Sequence, residues 1–391
     1  MRFIHTADWH LGRYFHGVHL TEDQGTLLRE QFLPLVKDEK VDAVVIAGDI
    51  YDRAVPPVEA VDLFSEILTK LVEQKVKVLY IAGNHDSAAR IGFGSRLMEQ
   101  SGVFVRGELS RDLSPVIFED SYGEIAFQLF PYLDPGMVRQ VFPASTEEMS
   151  LTGFNEANKL VVDEARKVLP EGMRSVAVAH AFLAGGQESD SERPLAVGGS
   201  GNVQPGIFKG YDYVALGHLH NPQQVGVPTV RYSGSLMKYS FNEAQTDKCV
   251  SVVDIDGEGE VSREDIPLHP ARDVRRIRGE FESILSDDTA YPPSEDYIQA
   301  DLTDKRRVLN VQEQLRRKFP NIMHINWAGL AAVREDMDLP THKGMERQQL
   351  TDEEKFHQFF REKMGREMDE EERAVLADCI REVHKEEREK A

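Results

Sequence analysis

The sequence predicts an α/β protein, and two observations carry that expectation. Short apolar runs recur at strand length, and segments of helical periodicity separate the first three of them. The runs are RFIHTA (2–7), VDAVVIAG (41–48), VKVLYIAG (76–83), SVAVAH (175–180) and YDYVALGH (211–218). Between them, EDQGTLLREQFLPLVKDEK (22–40) and PPVEAVDLFSEILTKLVEQ (56–74) read as helices, the second opening on proline as helix starts often do. CVSVVDID (249–256), beside the turn-like DGEG, reads as a hairpin strand, so the sheet is expected to be mixed.

At 391 residues the chain is long enough for two or three domains. Hydrophobic residues make up 41% and charged residues 29%, the balance of a water-soluble globular chain. No apolar run approaches the ~20 residues of a membrane span, and MRFIHTADWH lacks the pattern of a signal peptide. Cys249 and Cys379 have no CxxC partner and are read as reduced thiols of a cytoplasmic protein. The net charge of −21 weighs against a polyanionic partner. A metal site, however, carries its own positive charge, and residues 351–391 alone hold 14 acids against 9 bases. A first domain is expected over 1–270, with 185–206 as a long surface loop inside it, of the kind that is often functional. A compact α+β domain follows over 271–335, then a linker (336–350) and a helical segment (351–391).

The chemistry lies where the strands end. The first run is followed by Asp8-Trp9-His10, the second ends in Gly48-Asp49, and the third in Gly83-Asn84-His85-Asp86. The fourth ends in His180 and the fifth in Gly217-His218-Leu219-His220. Each is weak alone, because a single histidine after a strand is more often a hydrogen-bonded rim residue. Five in succession are another matter, since sites in open α/β sheets form outside the carboxyl ends of strands. Asp8, His10, Asp49, Asn84, His180, His218 and His220 supply oxygen and nitrogen donors for two divalent ions. In extended backbone, Asp8/His10 and His218/His220 each present a pair on one side. Asp49 is the natural bridge, and the residual positive charge suits a phosphodiester and an attacking water.

D-x-H, G-D, G-N-H-D, a lone H and G-H-x-H, in this order, resemble the calcineurin-like metallophosphoesterase family. HTADWHLGR (5–13), GDIYDRAVPP (48–57), AGNHDS (82–87), SDSER (189–193), ALGHLH (215–220) and RYSGSLMKYSFNEA (231–244) are similar to its SbcD group of Mre-type bacterial nucleases. The resemblance runs over about residues 1–270 and more loosely beyond. It implies a four-layer α/β/β/α sandwich with a small α+β capping domain. It also implies one ion on Asp8, His10, Asp49 and His220 and a second on Asp49, Asn84, His180 and His218, with Mn(II) expected and Mg(II) as the alternative. His85 takes the place of the general acid. Asp86 either orients it or caps the local turn. Where some archaeal relatives carry a second histidine after G-D, this chain has Asp52, which puts in doubt any rotation of DNA ends by a histidine there.

The resemblance further implies 3′-to-5′ exonuclease action on double strands and endonuclease cleavage at hairpins or blocked ends. The setting would be recombination, replication and repair, in the cytoplasm at the nucleoid. Arg272, Arg275, Arg276 and Arg278 are expected to meet DNA without reading its sequence. Lys305, Arg306, Arg307, Arg316, Arg317 and Lys318, on a helix expected over 304–319, are read as either a second basic patch or a solvated helix face. Helices around 57–74 and 91–101 are placed at a homodimer contact or packed on the sheet. The C-terminal segment starts with Thr351 and Glu354 in capping-box spacing and aligns Phe356, Phe359, Phe360 and Met364. A second helix aligns Val375, Leu376, Cys379, Ile380 and Val383. These stripes either pack back on the chain or dock on the coiled-coil root of the SbcC ATPase, as the resemblance implies, in a heterotetramer. Two other readings stand beside the nuclease: a phosphodiesterase or phosphatase for small substrates, and an inactive metal-binding scaffold.

Overall fold

The computed structural model describes residues 1–143, 151, 153–192 and 201–329, together with 357, 360, 368, 369, 372, 373 and 376. The chain divides into two compact units, residues 1–301 with 310–326, and residues 302–309 with 327–391.

In the first unit two six-stranded sheets lie face to face. One runs in the order Val261–Pro267, Cys249–Ile255, Arg2–Thr6, Ala43–Ile46, Lys77–Ile81, Val103–Arg106. The other runs Gln223–Val225, Val227–Tyr232, Tyr213–Gly217, Arg174–His180, Gly123–Phe130, Val116–Asp120. Strand alternation sorts their side chains into three cores. Phe3, Val45 and Leu79 meet Phe127, Val176 and Tyr213 between the sheets. Ile4, Val44 and Val78 face the other way, onto Phe32, Leu63 and Phe64 of the first helices. Ala177, Ala179 and Leu216 pack on Leu160 and Val161 of helix Phe154–Arg166. Three cores between four layers make this an α/β/β/α sandwich. The first sheet is mixed, since Cys249–Ile255 pairs antiparallel with both Arg2–Thr6 and Val261–Pro267.

Register brings the parallel strands to a common end. Thr6 pairs with Ile46 and Ile46 with Tyr80 in one sheet; Gly217 pairs with His180 in the other. The sheets also close on each other here. A Cβ on Gly217 would collide with the Ala47 carbonyl oxygen, so only glycine admits this approach.

Two helices differ from expectation. The 22–40 segment is helical from Thr21 to Asp38 but widens to a π turn over Leu28–Phe32. The 91–101 segment breaks into Ala88–Ile91 and Ser95–Glu99, because Gly94 adopts a left-handed conformation between them (φ 73°). Helix Val58–Glu73 buries Ala60, Leu63, Phe64, Ile67 and Leu71 against the first sheet. It leaves Val58 and Val61 in solvent, as the broken segment leaves Phe93 and Leu97.

Strands Val274–Gly279, Tyr297–Leu302 and Ile322–Asn326 form a further sheet, with helices Phe281–Ser286 and Val311–Arg316. The helix expected over 304–319 is thus only six residues long and starts after Asn310, itself left-handed (φ 53°). In the second unit, Phe360 and Leu376 are helical, the first half-buried and the second buried. Phe356, Phe359, Met364, Ile380 and Val383 lie outside the described residues. No helix among the described residues is long and apolar enough to cross a membrane.

Candidate metal centre

All seven expected ligands converge at the common strand end. His180 Nε2 lies 2.9 Å from Asn84 Oδ1 and 3.5 Å from Asp49 Oδ2. His10 Nε2 stands 3.0 Å from His220 Nε2 and 3.7 Å from Asp49 Oδ2. His218 joins through Asn84, its Nδ1 being 3.1 Å from the amide oxygen. Both oxygens of Asp8 accept the backbone N–H of His218 at 3.0 Å. Asp8, Asp49, His10, His180, His218 and His220 are all buried.

The backbone reaches this arrangement by a route that strand alternation did not anticipate. Asp8, His10 and Asp49 have φ of 53°, 45° and 49°, and His218 has φ 112°. The ligand pairs therefore meet through left-handed turns rather than extended chain. These turns are held from several sides. Gln24 donates its amide N–H to the carbonyls of Trp9 and His10 and accepts the N–H of Gly12. Asp49 Oδ1 accepts the N–H of His85 at 2.8 Å.

Protonation logic tests whether these residues suit cations. The Ala47 carbonyl can only accept, so His180 Nδ1 carries a proton and donates it there at 2.9 Å. A neutral His180 then points its Nε2 lone pair at two further acceptors, Asn84 Oδ1 and Asp49 Oδ2. His220 repeats the pattern. Its Nδ1 meets Ser191 Oγ, whose hydroxyl donates to Glu243 Oε1, so Nδ1 is the donor and Nε2 faces His10 with a lone pair. His10 Nδ1 and His218 Nε2 are buried without a hydrogen-bond partner. Acceptors facing acceptors in a buried pocket call for positive charge between them, and a divalent ion supplies it.

In the metal-free protein a proton takes the place of the cation at His180. Burial alone would lower the His180 imidazole, but Asp49 beside it raises it to about 9. Burial pushes Asp8 well above the usual carboxylate range, whereas the histidines around Asp49 overcome its burial and hold it well below. Burial also lowers His10, His218 and His220, keeping their rings neutral as ligation requires, His218 to about 3.

His85 lies at the rim of the set, its Nε2 3.9 Å from Asp49 Oδ2. Its Nδ1 donates to the backbone carbonyl of Asp52 at 2.9 Å. Asp86 does not orient it. The Asp86 carboxylate points away and accepts the backbone N–H groups of Ile50, Tyr51 and Gly83 at 3.1, 2.9 and 2.9 Å. Its role is the turn brace, because three converging amide donors outweigh one imidazole. Burial and the nearby Asp49 raise it to about 7.

Several supporting side chains were missed at the sequence level. Glu192 Oε1 accepts the His220 N–H at 2.7 Å. Ser191 and Glu243 fix the ring as described, and buried Lys248 pairs with Glu243 at 2.6 Å. Asp52, singled out in the sequence where some relatives carry a histidine, lies 3.7 Å from His10 Nδ1, and potential ligand atoms of His10, Asp52 and His85 gather within 4.8 Å of one another. Ser191 and Glu192 fall in the expected long loop and in the SDSER stretch, which was the only signal for them.

Residues 1–222 match the family model described as calcineurin-like phosphoesterase, and residues 270–364 match the one described as type 5 capsule protein repressor C-terminal domain. The SbcD subunit of nuclease SbcCD from Staphylococcus epidermidis is 31% identical over 327 residues, covering 83% of this chain and 85% of that protein. The chain belongs to the SbcD family of calcineurin-like phosphoesterases. Among solved structures, family 1 β-glucosidase from Thermotoga maritima aligns at 12% identity in its isofagomine lactam complex and 13% alone. Each alignment covers 83% of both chains with a TM-score of 0.21, too low to mean a shared fold.

In this SbcD-family chain, most of the arginines expected to meet DNA already have partners. Arg272 pairs with Asp23 at 2.7 Å, Arg275 with Asp296 at 3.0 Å and Arg276 with Asp301 at 2.9 Å. Arg278 is exposed and has no carboxylate partner among the described residues. Of the second basic group, Lys318 is buried and donates to the Ile284 carbonyl at 2.9 Å, so it faces inward.

Proposed function

We propose that this chain is a metal-dependent DNA nuclease. The observation that carries the reading is the convergence of seven oxygen and nitrogen donors, with the buried His10 Nδ1 and His218 Nε2 left without hydrogen-bond partners, in a chain similar to a known nuclease. Two divalent ions, Mn(II) by preference and Mg(II) otherwise, would supply Lewis acidity and activate water for in-line attack on a phosphodiester. Asp8, His10, Asp49 and His220 would hold one ion, and Asp49, Asn84, His180 and His218 the other. His85, with Nδ1 held by the Asp52 carbonyl, keeps Nε2 toward the centre to give a proton to the departing oxygen.

The finer assignments belong to the same reading: 3′-to-5′ exonuclease action on duplex ends, endonuclease cleavage at hairpins and blocked ends, and a place in repair, recombination and replication at the nucleoid. Residues 271–335 would cap DNA on the site with Arg272, Arg275, Arg276 and Arg278 on its backbone. Two copies would pair through the helices that expose Val58, Val61, Phe93 and Leu97. Residues 351–391 would dock on the SbcC ATPase in a heterotetramer.

The test is Mn(II)-dependent cleavage of linear duplex DNA by wild type and His85→Ala, with and without the ATPase partner. Wild type is expected to cleave. His85→Ala is expected to lose about 10²–10⁴-fold in rate while binding metal at full stoichiometry. Unchanged cleavage by His85→Ala would overturn its assigned role. A second reading, a phosphodiesterase for small substrates, draws support from the net charge of −21 and the carboxylate-paired arginines. It predicts fast hydrolysis of a chromogenic diester and none of DNA.

A further inference from the structure

We propose that a groove beside the metal centre binds one unpaired nucleobase at the end of a nucleic-acid strand. This rests on the nuclease reading and adds a subsite to it. The groove measures about 470 Å³, of the size that takes small ligands, and runs between the hairpin carrying Tyr14 and His16, the 239–242 segment, Gln299 and His324. Its walls are flat rings. Tyr14 is 52% exposed, and His16 is exposed with its ring 5.1 Å from that of Phe241 and 6.4 Å from that of His324.

Among its polar atoms are two amide carbonyls that can only accept. Gln299 donates its amide N–H to Asp301 at 3.0 Å, and Asn242 donates its own to Asp190. Carboxylates only accept, so each amide must turn its NH₂ to its carboxylate. That leaves Gln299 Oε1 and Asn242 Oδ1 without a partner among the described residues. Aromatic faces with carbonyl acceptors match a base, which has a planar face and amino donors on its edge. An apolar side chain would leave those carbonyls unmet.

The groove adjoins the reacting centre through Tyr239, which lines it and whose ring lies 5.6 Å from that of His10 and 5.9 Å from that of His220. A strand whose phosphodiester occupies the centre therefore has a neighbouring base within reach of the groove. Neither lysine nor arginine is among the residues that line it, so the base contributes affinity through stacking rather than charge.

The test uses the full chain with Mn(II) and a chromogenic diester as reporter. The probe is a short nuclease-resistant single-stranded oligonucleotide with adenine at both ends, compared as an inhibitor with one lacking both terminal bases. The abasic probe is expected to inhibit about 5- to 100-fold more weakly, with that ratio unchanged by added salt. In the double variant Tyr14→Ala/His16→Ala, both positions being exposed, the ratio is expected to fall towards one while diester hydrolysis stays at the wild-type rate. Gln299→Leu should lower the ratio in part. Equal inhibition by both probes in wild type, or an unreduced ratio in the double variant, overturns the groove and leaves the nuclease reading standing. Absence of diester hydrolysis in wild type overturns both.

Discussion

Ser191 shows how a residue that touches no reacting atom can set the chemistry of one that does. Its hydroxyl donates to Glu243 and accepts from His220 Nδ1, so the His220 Nε2 lone pair has one direction to face. Ser191→Ala frees the ring, and Mn(II) affinity measured by calorimetry is expected to fall about 10- to 100-fold with the fold intact. Glu243→Gln is a harsher change, because it strips the partner from buried Lys248. His180 makes a second prediction. Its folded pKa near 9 means that it is protonated at neutral pH in the metal-free protein and must shed that proton to ligate. Metal affinity should therefore rise as pH rises towards 9 and fall as it drops. Mn(II) titrations in buffers of different ionisation enthalpy should reveal the released proton.

At the scale of elements, the centre depends on how closely two sheet ends approach. A Cβ at Gly83 would overlap Asp49 Oδ1, so Gly83→Ala is expected to displace the Asp49 carboxylate. Metal binding should be lost while far-ultraviolet circular dichroism stays unchanged. Asp86→Ala leaves three backbone donors unmet and should lower the denaturation free energy by about 1–3 kcal/mol in a urea titration. The strand ends were legible in sequence because an apolar run, a glycine and a ligand-type residue are contiguous, as in VLYIAGNHD. Asp86 was legible as polar and adjacent to His85, but adjacency along a turn says nothing about direction, and here the two side chains diverge. Ser191, Glu192 and Glu243 were not legible as site residues. Glu192 and Ser191 reach His220 from 28 and 29 residues away, and Glu243 acts on it indirectly, through Ser191, 52 residues before it, and through Lys248. The break at Gly94 was overlooked because apolar spacing continues across it.

At the scale of the molecule, the apolar residues left in solvent on the first sheet's helix side are the notable surface. Phe93 and Leu97 are 85% and 75% exposed, and Val58 is 70% exposed. If they join two copies, Phe93→Glu with Leu97→Glu should convert a dimer to a monomer in sedimentation experiments while chromogenic diester hydrolysis persists. A wild-type monomer at micromolar concentration would remove that assignment.

The left-handed backbone at Asp8, His10 and Asp49 reaches beyond the site. Each such residue forgoes about 1–2 kcal/mol that glycine in the same place would not. The backbone strain of the protein is thus concentrated at the candidate metal centre. Selection of this chain for heat resistance alone would therefore pull two ways, since glycine would relieve the backbone at these positions while leaving the His218 and His85 amides, which Asp8 and Asp49 accept, without a partner.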